Sequence, residues 1–169
     1  GIIMLLRRAG ARMMATSGVA VPALGTTPKT TDGAKELYDS WADSYDAALE
    51  SWGYPVPQRV TEVLKELGCD QSTRILDLGC GTGLSGAALK ASGLGIAAGV
   101  VGTDISPTSL DIAQQKGLYA DLLPANLDEP LPFESSSFDA VACVGVLSYV
   151  EKFGVLFPEL ARVLCRGGV

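Results

Sequence analysis

The sequence predicts an α/β fold: a Rossmann-like three-layer sandwich in which helices cover both faces of a parallel sheet. From Arg74 onward, short apolar runs alternate with stretches of helical periodicity. The runs lack polar alternation, which indicates strands buried on both faces, as in parallel sheets. A glycine-rich loop follows the first run and an aspartate ends the second. Ligand sites of such folds lie at these carboxyl ends of the strands.

Two helices are expected before the sheet. An apolar stripe with a four-residue period indicates the first, and it consists of Leu37, Trp41, Tyr45 and Leu49. The second is expected at 57–67, because Pro57 suits a first helical turn and Gly68 supplies a stop.

Four strands and three helices are expected to follow. The strands cover 74–78, 100–104, 119–123 and 138–144, and the helices cover 84–91, 107–116 and 152–164. Ser106 before Pro107 is a typical N-cap with a proline in the first turn. Pro158 is expected to kink the last helix or divide it in two.

Composition limits the partners. The chain has 169 residues, 47% of them hydrophobic, and a formal net charge of -6, with an estimated pI of 4.6. This charge repels phosphate backbones and anionic membranes, so we expect no nucleic acid partner and no membrane partner. No apolar run reaches the roughly 18 residues of a membrane span.

The residue types also limit the chemistry. The chain has no histidine, the commonest general base and metal ligand. The four cysteines show no C-x-x-C spacing, so reduced thiols are expected and no metal site. They are Cys69, Cys80, Cys143 and Cys165.

Residues 1–33 form a separate segment in this prediction. They contain arginine, serine, threonine and alanine but no acid before Asp32. This bias is typical of organellar transit peptides, and a disordered leader explains it equally well. We therefore expect a cytoplasmic protein, or a mitochondrial or chloroplast one if the leader is a transit peptide. Residues 34–169 are expected to form the folded domain.

The segment ILDLGCGTG predicts a ligand loop. Gly79, Gly81 and Gly83 directly follow a buried strand and precede a helix. Without Cβ atoms the backbone can turn sharply there, and a ligand can approach its N–H groups and the helix N-terminus closely. Asp104 ends the next strand, where a carboxylate can accept hydrogen bonds from the ribose hydroxyls of an adenosine.

Two cofactors fit this pattern. Gly81, Gly83 and Gly86 also satisfy the G-x-G-x-x-G dinucleotide fingerprint, which leaves a nicotinamide-dependent oxidoreductase as an alternative. Asp77 favours the other cofactor. A buried carboxylate is costly unless paired, and at this position it would repel a diphosphate but attract the ammonium group of S-adenosylmethionine.

These residues resemble the class I S-adenosylmethionine-dependent methyltransferases. ILDLGCGTG resembles the first motif of that family, and GTDIS, LPANLDEPLPF, SSSFDAVACVGVLSYV and ELARVLCRGG resemble later ones. YDSWADSYDAAL and GLYADLLPANLDEPLPF are similar to the group typified by the Williams-Beuren syndrome chromosome region methyltransferase. The resemblance extends from Tyr38 to the last residue.

The resemblance implies site residues. The methionine part of the cofactor would lie against the loop formed by Asp77, Gly79, Cys80, Gly81 and Gly83. Asp104 would bind ribose, and the adenine would contact Ile105, Asn126 and Leu127. Asn126 stands where the family generally has an aspartate, and its amide oxygen can still accept from the adenine amino group; Asp121 is a weaker alternative. Val144 would lie beneath the sulfonium, and Tyr45 would reach the cofactor carboxylate or simply pack in the core.

The expected function is methyl transfer to a small-molecule acceptor. Alignment and exclusion of water supply most of the rate in such a reaction, so no protein nucleophile is required. If the acceptor needs a base, a carboxylate such as Asp43 or Asp46, or a tyrosine, could serve, and the sequence assigns no catalytic residue. A cofactor-binding but inactive regulatory module is the alternative from another class.

The resemblance also implies a fragment. The family domain generally has seven strands, whereas this sequence contains motifs for about four and ends inside the turn after ELARVLCRGG. We therefore expect the apolar strand at 138–144 to form an exposed sheet edge.

Overall fold

The computed structural model describes residue 28 and residues 30–169. Residues 1–27 and 29, and with them most of the predicted leader at 1–33, lie outside the described part. The helices are α1 Thr31–Ser51, α2 Val56–Glu66, α3 Leu84–Ser92, α4 Pro107–Gln115 and α5 Phe153–Val163. The strands are β1 Ile75–Leu78, β2 Val100–Asp104, β3 Asp121–Pro124 and β4 Ala140–Cys143. A short 3-10 helix at Leu147–Tyr149 follows β4.

The four strands form one parallel sheet in the order β3-β2-β1-β4. The register pairs Leu78 with Thr103 and with Cys143, and Asp104 with Pro124. All four carboxyl ends therefore meet at one edge. The predicted Rossmann-like α/β class is confirmed.

Alternate residues of β1 face opposite sides of the sheet. Leu76 and Leu78 belong to a core cluster with Leu156 and Val163 of α5. Ile75 belongs to the other cluster, which contains residues of α2 and α3. Asp77 lies on the Ile75 face, so its carboxylate points toward α3 and away from α5.

Helix α1 begins at a side-chain cap. The Thr30 hydroxyl accepts a hydrogen bond from the Gly33 N–H, and the helix starts at Thr31. The predicted domain boundary between residues 33 and 34 therefore falls inside the first turn of α1. The predicted stripe contributes buried Trp41 and Leu49, and α1 packs against α4.

Strand β4 differs from the expected exposed edge. The Val141 N–H donates to the Val169 carbonyl at 2.8 Å, and the Val169 N–H donates to the Asp139 carbonyl at 3.0 Å. Phe138 forms a parallel bridge with Leu164. The final residues of the chain thus pair with the first half of this edge, and the expectation of a bare edge is wrong there.

Helix α5 continues through Pro158 as a single helix, so of the two expected effects the division is excluded and the kink stays a prediction. Within residues 30–169, no helix is long and apolar enough to cross a membrane.

Candidate functional site

An open cleft lies at the carboxyl ends of the strands. Its floor contains Gly79, Gly81 and Asp104. The helix α1 forms a roof through Tyr38 and Tyr45, among other residues. The remaining wall comes from the segments after β3 and β4, through Ala125, Leu127, Asp128, Val144, Gly145, Val146, Tyr149 and Val150.

The glycine loop has the backbone that only glycine adopts readily. Gly79, Gly81 and Gly83 have φ angles of +67°, +52° and +96°. A Cβ at Gly79 would lie 2.6 Å from the Val146 side chain. A Cβ at Gly81 would meet no described atom within 4 Å, so it would project into open space at the cleft. The loop therefore leaves room for a ligand against its backbone.

Asp104 is oriented by two backbone donors. Its Oδ2 accepts from the Gly81 N–H and its Oδ1 accepts from the Ser106 N–H, each at 2.9 Å. Burial raises the pKa of this carboxyl, and the two N–H groups oppose that shift. Each carboxylate oxygen keeps a further lone pair, so the group can still accept two hydroxyls at the cleft. This geometry fits the ribose of an adenosine.

Asp77 lies outside the described lining of the cleft. It is fully buried, and its Oδ2 accepts from the Ser85 hydroxyl at 2.6 Å and from the Tyr119 hydroxyl at 2.8 Å. Its Oδ1 has no hydrogen-bond partner among residues 30–169. Burial raises the pKa of Asp77 to about 6, against the effect of both hydroxyls. The carboxylate expected to face a ligand ammonium instead faces α3.

Three other predicted residues also lie outside the lining of the main cleft. Gly83 precedes α3 as its left-handed cap. Cys80 is buried and lines a smaller adjoining recess with Ser85. Asn126 accepts the Asp128 N–H at 2.9 Å through the oxygen that was expected to meet the adenine. This hydrogen bond from the backbone two residues ahead forms an Asx turn. Asn favours such turns, so the sequence N-L-D could have indicated it.

The remaining predicted residues line the cleft together. They are Tyr45, Gly79, Gly81, Asp104, Ile105, Leu127 and Val144. Burial raises the pKa of Tyr45, and burial together with a hydrogen bond to Tyr149 raises the pKa of Tyr38. Both phenols are therefore protonated at neutral pH. The Tyr38 and Tyr149 hydroxyls lie 3.1 Å apart beneath α1.

Asp128 is a cleft residue that the sequence patterns did not indicate. It is 7% exposed, and its Oδ1 accepts from the N–H groups of Glu151 and Lys152 at 2.9 and 2.7 Å. Its Oδ2 accepts from the Thr31 hydroxyl. Burial acts to raise the pKa of Asp128, but these hydrogen bonds outweigh it and the pKa is lowered. Asp128 thus joins the start of α1 to the wall of the cleft.

Asp46, a candidate base, has another role in this structure. Its Oδ1 accepts from the Thr82 hydroxyl at 2.5 Å, and it forms an ion pair with Lys116. Lys116 also donates to the Thr82 carbonyl at 2.7 Å. These contacts connect α1 to the glycine loop. The side chain of Asp43, the other candidate base, lies outside the described part of the chain.

The fold, the glycine loop and the orientation of Asp104 together indicate a nucleoside-binding domain, and comparison with known proteins identifies its family. The methyltransferase domain family matches residues 76–169, more than half of the chain. The chain belongs to this family. The predicted class, the class I S-adenosylmethionine-dependent methyltransferases, is confirmed, and so is S-adenosylmethionine as the cofactor that this class implies.

Among curated relatives, the chain is 37% identical to methyltransferase-like protein 27 of Homo sapiens over 93% of its own length and 66% of the relative's. That relative is similar to the Williams-Beuren region group, which agrees with the finer resemblance. The chain is 30% identical to the 18S rRNA (guanine-N(7))-methyltransferase of Bos taurus, over 80% of the chain and 52% of the relative. It is 29% identical to the ubiquinone biosynthesis O-methyltransferase of Alkalilimnicola ehrlichii, over 85% of the chain and 62% of the relative. The chain thus spans about half to two thirds of these relatives.

A solved structure gives the same result for the fold. A methyltransferase from Haloferax volcanii, solved in complex with the Trm112 methyltransferase activator, superimposes with a TM-score of 0.64 and 25% identity. The match covers 78% of this chain and 55% of that one.

The expectation that nucleic acid is excluded as a partner is wrong. It was based on the net charge of -6, yet relatives of this chain include 18S rRNA methyltransferases from Bos taurus, Mus musculus and Dictyostelium discoideum. Net charge sums the whole chain, whereas a macromolecular substrate meets one surface of it. The net charge therefore does not exclude a nucleic acid substrate in this family.

Proposed function

We propose that this chain is the cofactor-binding part of an S-adenosylmethionine-dependent methyltransferase and that the cofactor occupies the cleft beneath α1. The observation that carries the proposal is the pairing of Gly81 with Asp104. Gly81 leaves open space at the cleft and its N–H orients the Asp104 carboxylate. A nucleoside with a polar tail is the ligand that uses both features at once.

The other lining residues support an assignment of the cofactor parts. In the proposed arrangement Asp104 holds the ribose, and Ile105 and Leu127 contact the adenine with apolar surface. Gly79 and Gly81 contact the methionine part, with Tyr45 above them. Asp77 supports this loop from behind, since its contacts are with Ser85 and Tyr119.

When bound, S-adenosylmethionine supplies a methyl group on a positively charged sulfur. The chain contributes alignment and exclusion of water, which are the main sources of rate in a direct displacement. The protonated phenols of Tyr38 and Tyr45 can donate hydrogen bonds in the cleft, but their raised pKa values prevent them from acting as bases at neutral pH.

We infer that the acceptor enters between α1 and the 3-10 helix at Leu147–Tyr149. This side of the cleft is aromatic and contains Tyr38 and Tyr149, whose rings pack edge to face at 5.6 Å. A flat acceptor group could replace part of this packing. The named substrates of the relatives range from 18S rRNA to a ubiquinone precursor, so both acceptor classes belong in the test.

Binding by isothermal titration tests the cofactor assignment. The wild-type chain should bind S-adenosylmethionine and S-adenosylhomocysteine but show no affinity for NAD. Asp104→Asn should weaken binding about tenfold or more, because the amide loses one charged acceptor for the ribose. Asp121→Asn is the matched control, since Asp121 is exposed and starts β3, away from the carboxyl ends of the strands. Affinity for NAD alone would refute the proposal.

Transfer of a labelled methyl group tests the activity. The chain is incubated with labelled S-adenosylmethionine and either total RNA or the small-molecule fraction of an extract. Label in either fraction, lost in Asp104→Asn and kept in Asp121→Asn, supports methyl transfer and identifies the acceptor class. Cofactor binding without label in any fraction would instead support an inactive binding module.

A further inference from the structure

Tyr119 occupies a slot formed by glycines. It lies between α4 and β3, and a Cβ at Gly86 would come within 2.4 Å of its ring. Cβ atoms at Gly102 and Gly83 would lie 3.0 and 3.4 Å from the same ring. Gly86, the last glycine of the G-x-G-x-x-G pattern, and Gly102 of β2 therefore make room for a side chain of this chain itself.

The Tyr119 hydroxyl joins the two ends of the cofactor loop. It donates to Asp77 at the end of β1 at 2.8 Å and accepts from the Gly86 N–H in the first turn of α3 at 3.1 Å. Ser85 of the same turn donates to the same Asp77 oxygen at 2.6 Å. The loop that carries Gly79, Gly81 and Gly83 is thus closed at its base by hydrogen bonds.

We propose that Tyr119 is a positioning residue of the cofactor site, which it does not line, and that its hydroxyl holds the glycine loop in its binding conformation. This inference rests on the proposed function. A loop with three left-handed glycines has many accessible conformations when unrestrained, and a ligand would have to order it at a cost in affinity. Tyr119, with Asp77 and Ser85, orders the loop in advance.

The surroundings of Asp77 determine how this support depends on pH. The titratable groups facing it are Tyr119 from the segment before β3, Cys80 from the loop, Asp104 from β2 and Cys143 from β4. None of them is basic, so the hydroxyls of Tyr119 and Ser85 are the groups that stabilise its charge. Removing either hydroxyl raises the pKa of Asp77 further.

The test measures the dissociation constant of S-adenosylhomocysteine against pH by isothermal titration. In the wild-type chain, affinity should decline as pH falls through the titration of Asp77, because the protonated group holds the loop less firmly. Tyr119→Phe should weaken binding at neutral pH about tenfold and shift the midpoint of that decline upward. Ser85→Ala removes the other donor and should shift the midpoint in the same direction.

Ser92→Ala is the matched control. It removes a hydroxyl from the C-terminal end of α3. Among the described residues, this hydroxyl bonds only to the Leu89 carbonyl. Its binding and midpoint should equal those of the wild type. If Tyr119→Phe lowers the melting temperature yet keeps the wild-type affinity and midpoint, the positioning role is refuted while the proposed function stands. If the wild-type chain binds no cofactor at all, the proposed function itself falls and this inference with it.

Discussion

The floor and the roof of the cleft are held in place by different kinds of contact. The floor depends on Asp77, which is fully buried and joined to Ser85 and Tyr119. The roof, α1, buries Trp41 and Leu49 and is also held by polar contacts, some of them nearer the surface. One of them is the ion pair of Lys116 with Asp46, whose side chains are 30% and 36% exposed.

This difference has a physical consequence. Buried hydrogen bonds to a charged group are worth more than exposed ion pairs, because water competes less for their partners. The polar contacts of the floor should therefore be harder to break than the exposed ion pair that helps hold the roof. Four substitutions test this contrast.

Gly79→Ala should have the largest effect, because it damages the floor directly. The new Cβ would lie 2.6 Å from Val146 and the residue would keep a φ of +67°. The left-handed backbone and the overpacking together should cost about 3 to 4 kcal/mol of unfolding free energy. Gly117→Ala, with a φ of +59° and no described atom within 4 Å of its Cβ, should cost only the backbone part. Equal losses in urea denaturation would contradict the clash.

Asp77→Asn should change the pH dependence of stability. Burial raises the pKa of Asp77 from 3.8 to about 6, so the folded chain binds this proton more tightly than the unfolded chain does. The resulting stabilisation is complete below about pH 3 and is lost as pH rises through 6, by about 3 kcal/mol in all.

The variant lacks this titration, so its unfolding free energy should gain about 2 kcal/mol relative to wild type between pH 4 and pH 7. Urea denaturation at a series of pH values measures the difference. Asp121→Asn removes an exposed carboxylate and serves as the control for charge. A constant difference between Asp77→Asn and wild type over this range would show that the buried carboxylate does not titrate there.

Asp128→Ala should loosen the roof at its N-terminal end. It leaves the Thr31 hydroxyl and the N–H groups of Glu151 and Lys152 without their acceptor, at a cost of about 2 kcal/mol. Hydrogen exchange should accelerate in α1 more than in β1. Asp128→Asn keeps an acceptor for the backbone donors and should recover part of the loss. Uniform acceleration over the whole sheet would contradict a separable roof.

Lys116→Met should have the smallest effect. Its ion pair with Asp46 is partly exposed, so its loss should cost about 0.5 kcal/mol at low salt and less at high salt. Lys65→Met on the exposed face of α2 is the control and should leave the salt dependence of unfolding unchanged. A larger loss of unfolding free energy than in Asp128→Ala would contradict this order. It would mean that the Lys116–Asp46 ion pair holds α1 more strongly than the Thr31–Asp128 contact does.

Local patterns predicted most of the fold and part of the site. The four-residue stripe gave α1, and the glycine spacing after a buried strand gave the loop, because both depend on neighbours in sequence. The alternation of β1 could also have placed Asp77 on the Ile75 face. What no local pattern supplies is its partner Tyr119, which is 42 residues away. From the sequence, Asp77 beside the glycines therefore suggested a contact with a ligand. In the fold, its contacts are with Ser85 and Tyr119 of the same chain.

The exclusion of nucleic acid was wrong for another reason, and the adenine contact of Asn126 stays a prediction. Asn126 was aligned by motif to an adenine contact; in the structure its oxygen accepts from the Asp128 N–H and keeps one lone pair for a further donor. The prediction of no nucleic acid used a sum over the chain, whereas recognition depends on one surface. Asp128 was missed because its partners, Thr31 and residues 151 and 152, come together only in the folded chain.

The slot around Tyr119 also bears on how such sequences diverge. Because the phenol fills the space that a Cβ at Gly86 would need, the two positions are constrained as a pair. A homologue with a small residue in place of the tyrosine is free to carry alanine or serine in place of the glycine, and one that keeps the ring is not. The glycine at position 86 is therefore explained by packing inside the chain, and the G-x-G-x-x-G spacing here is no sign of a bound dinucleotide.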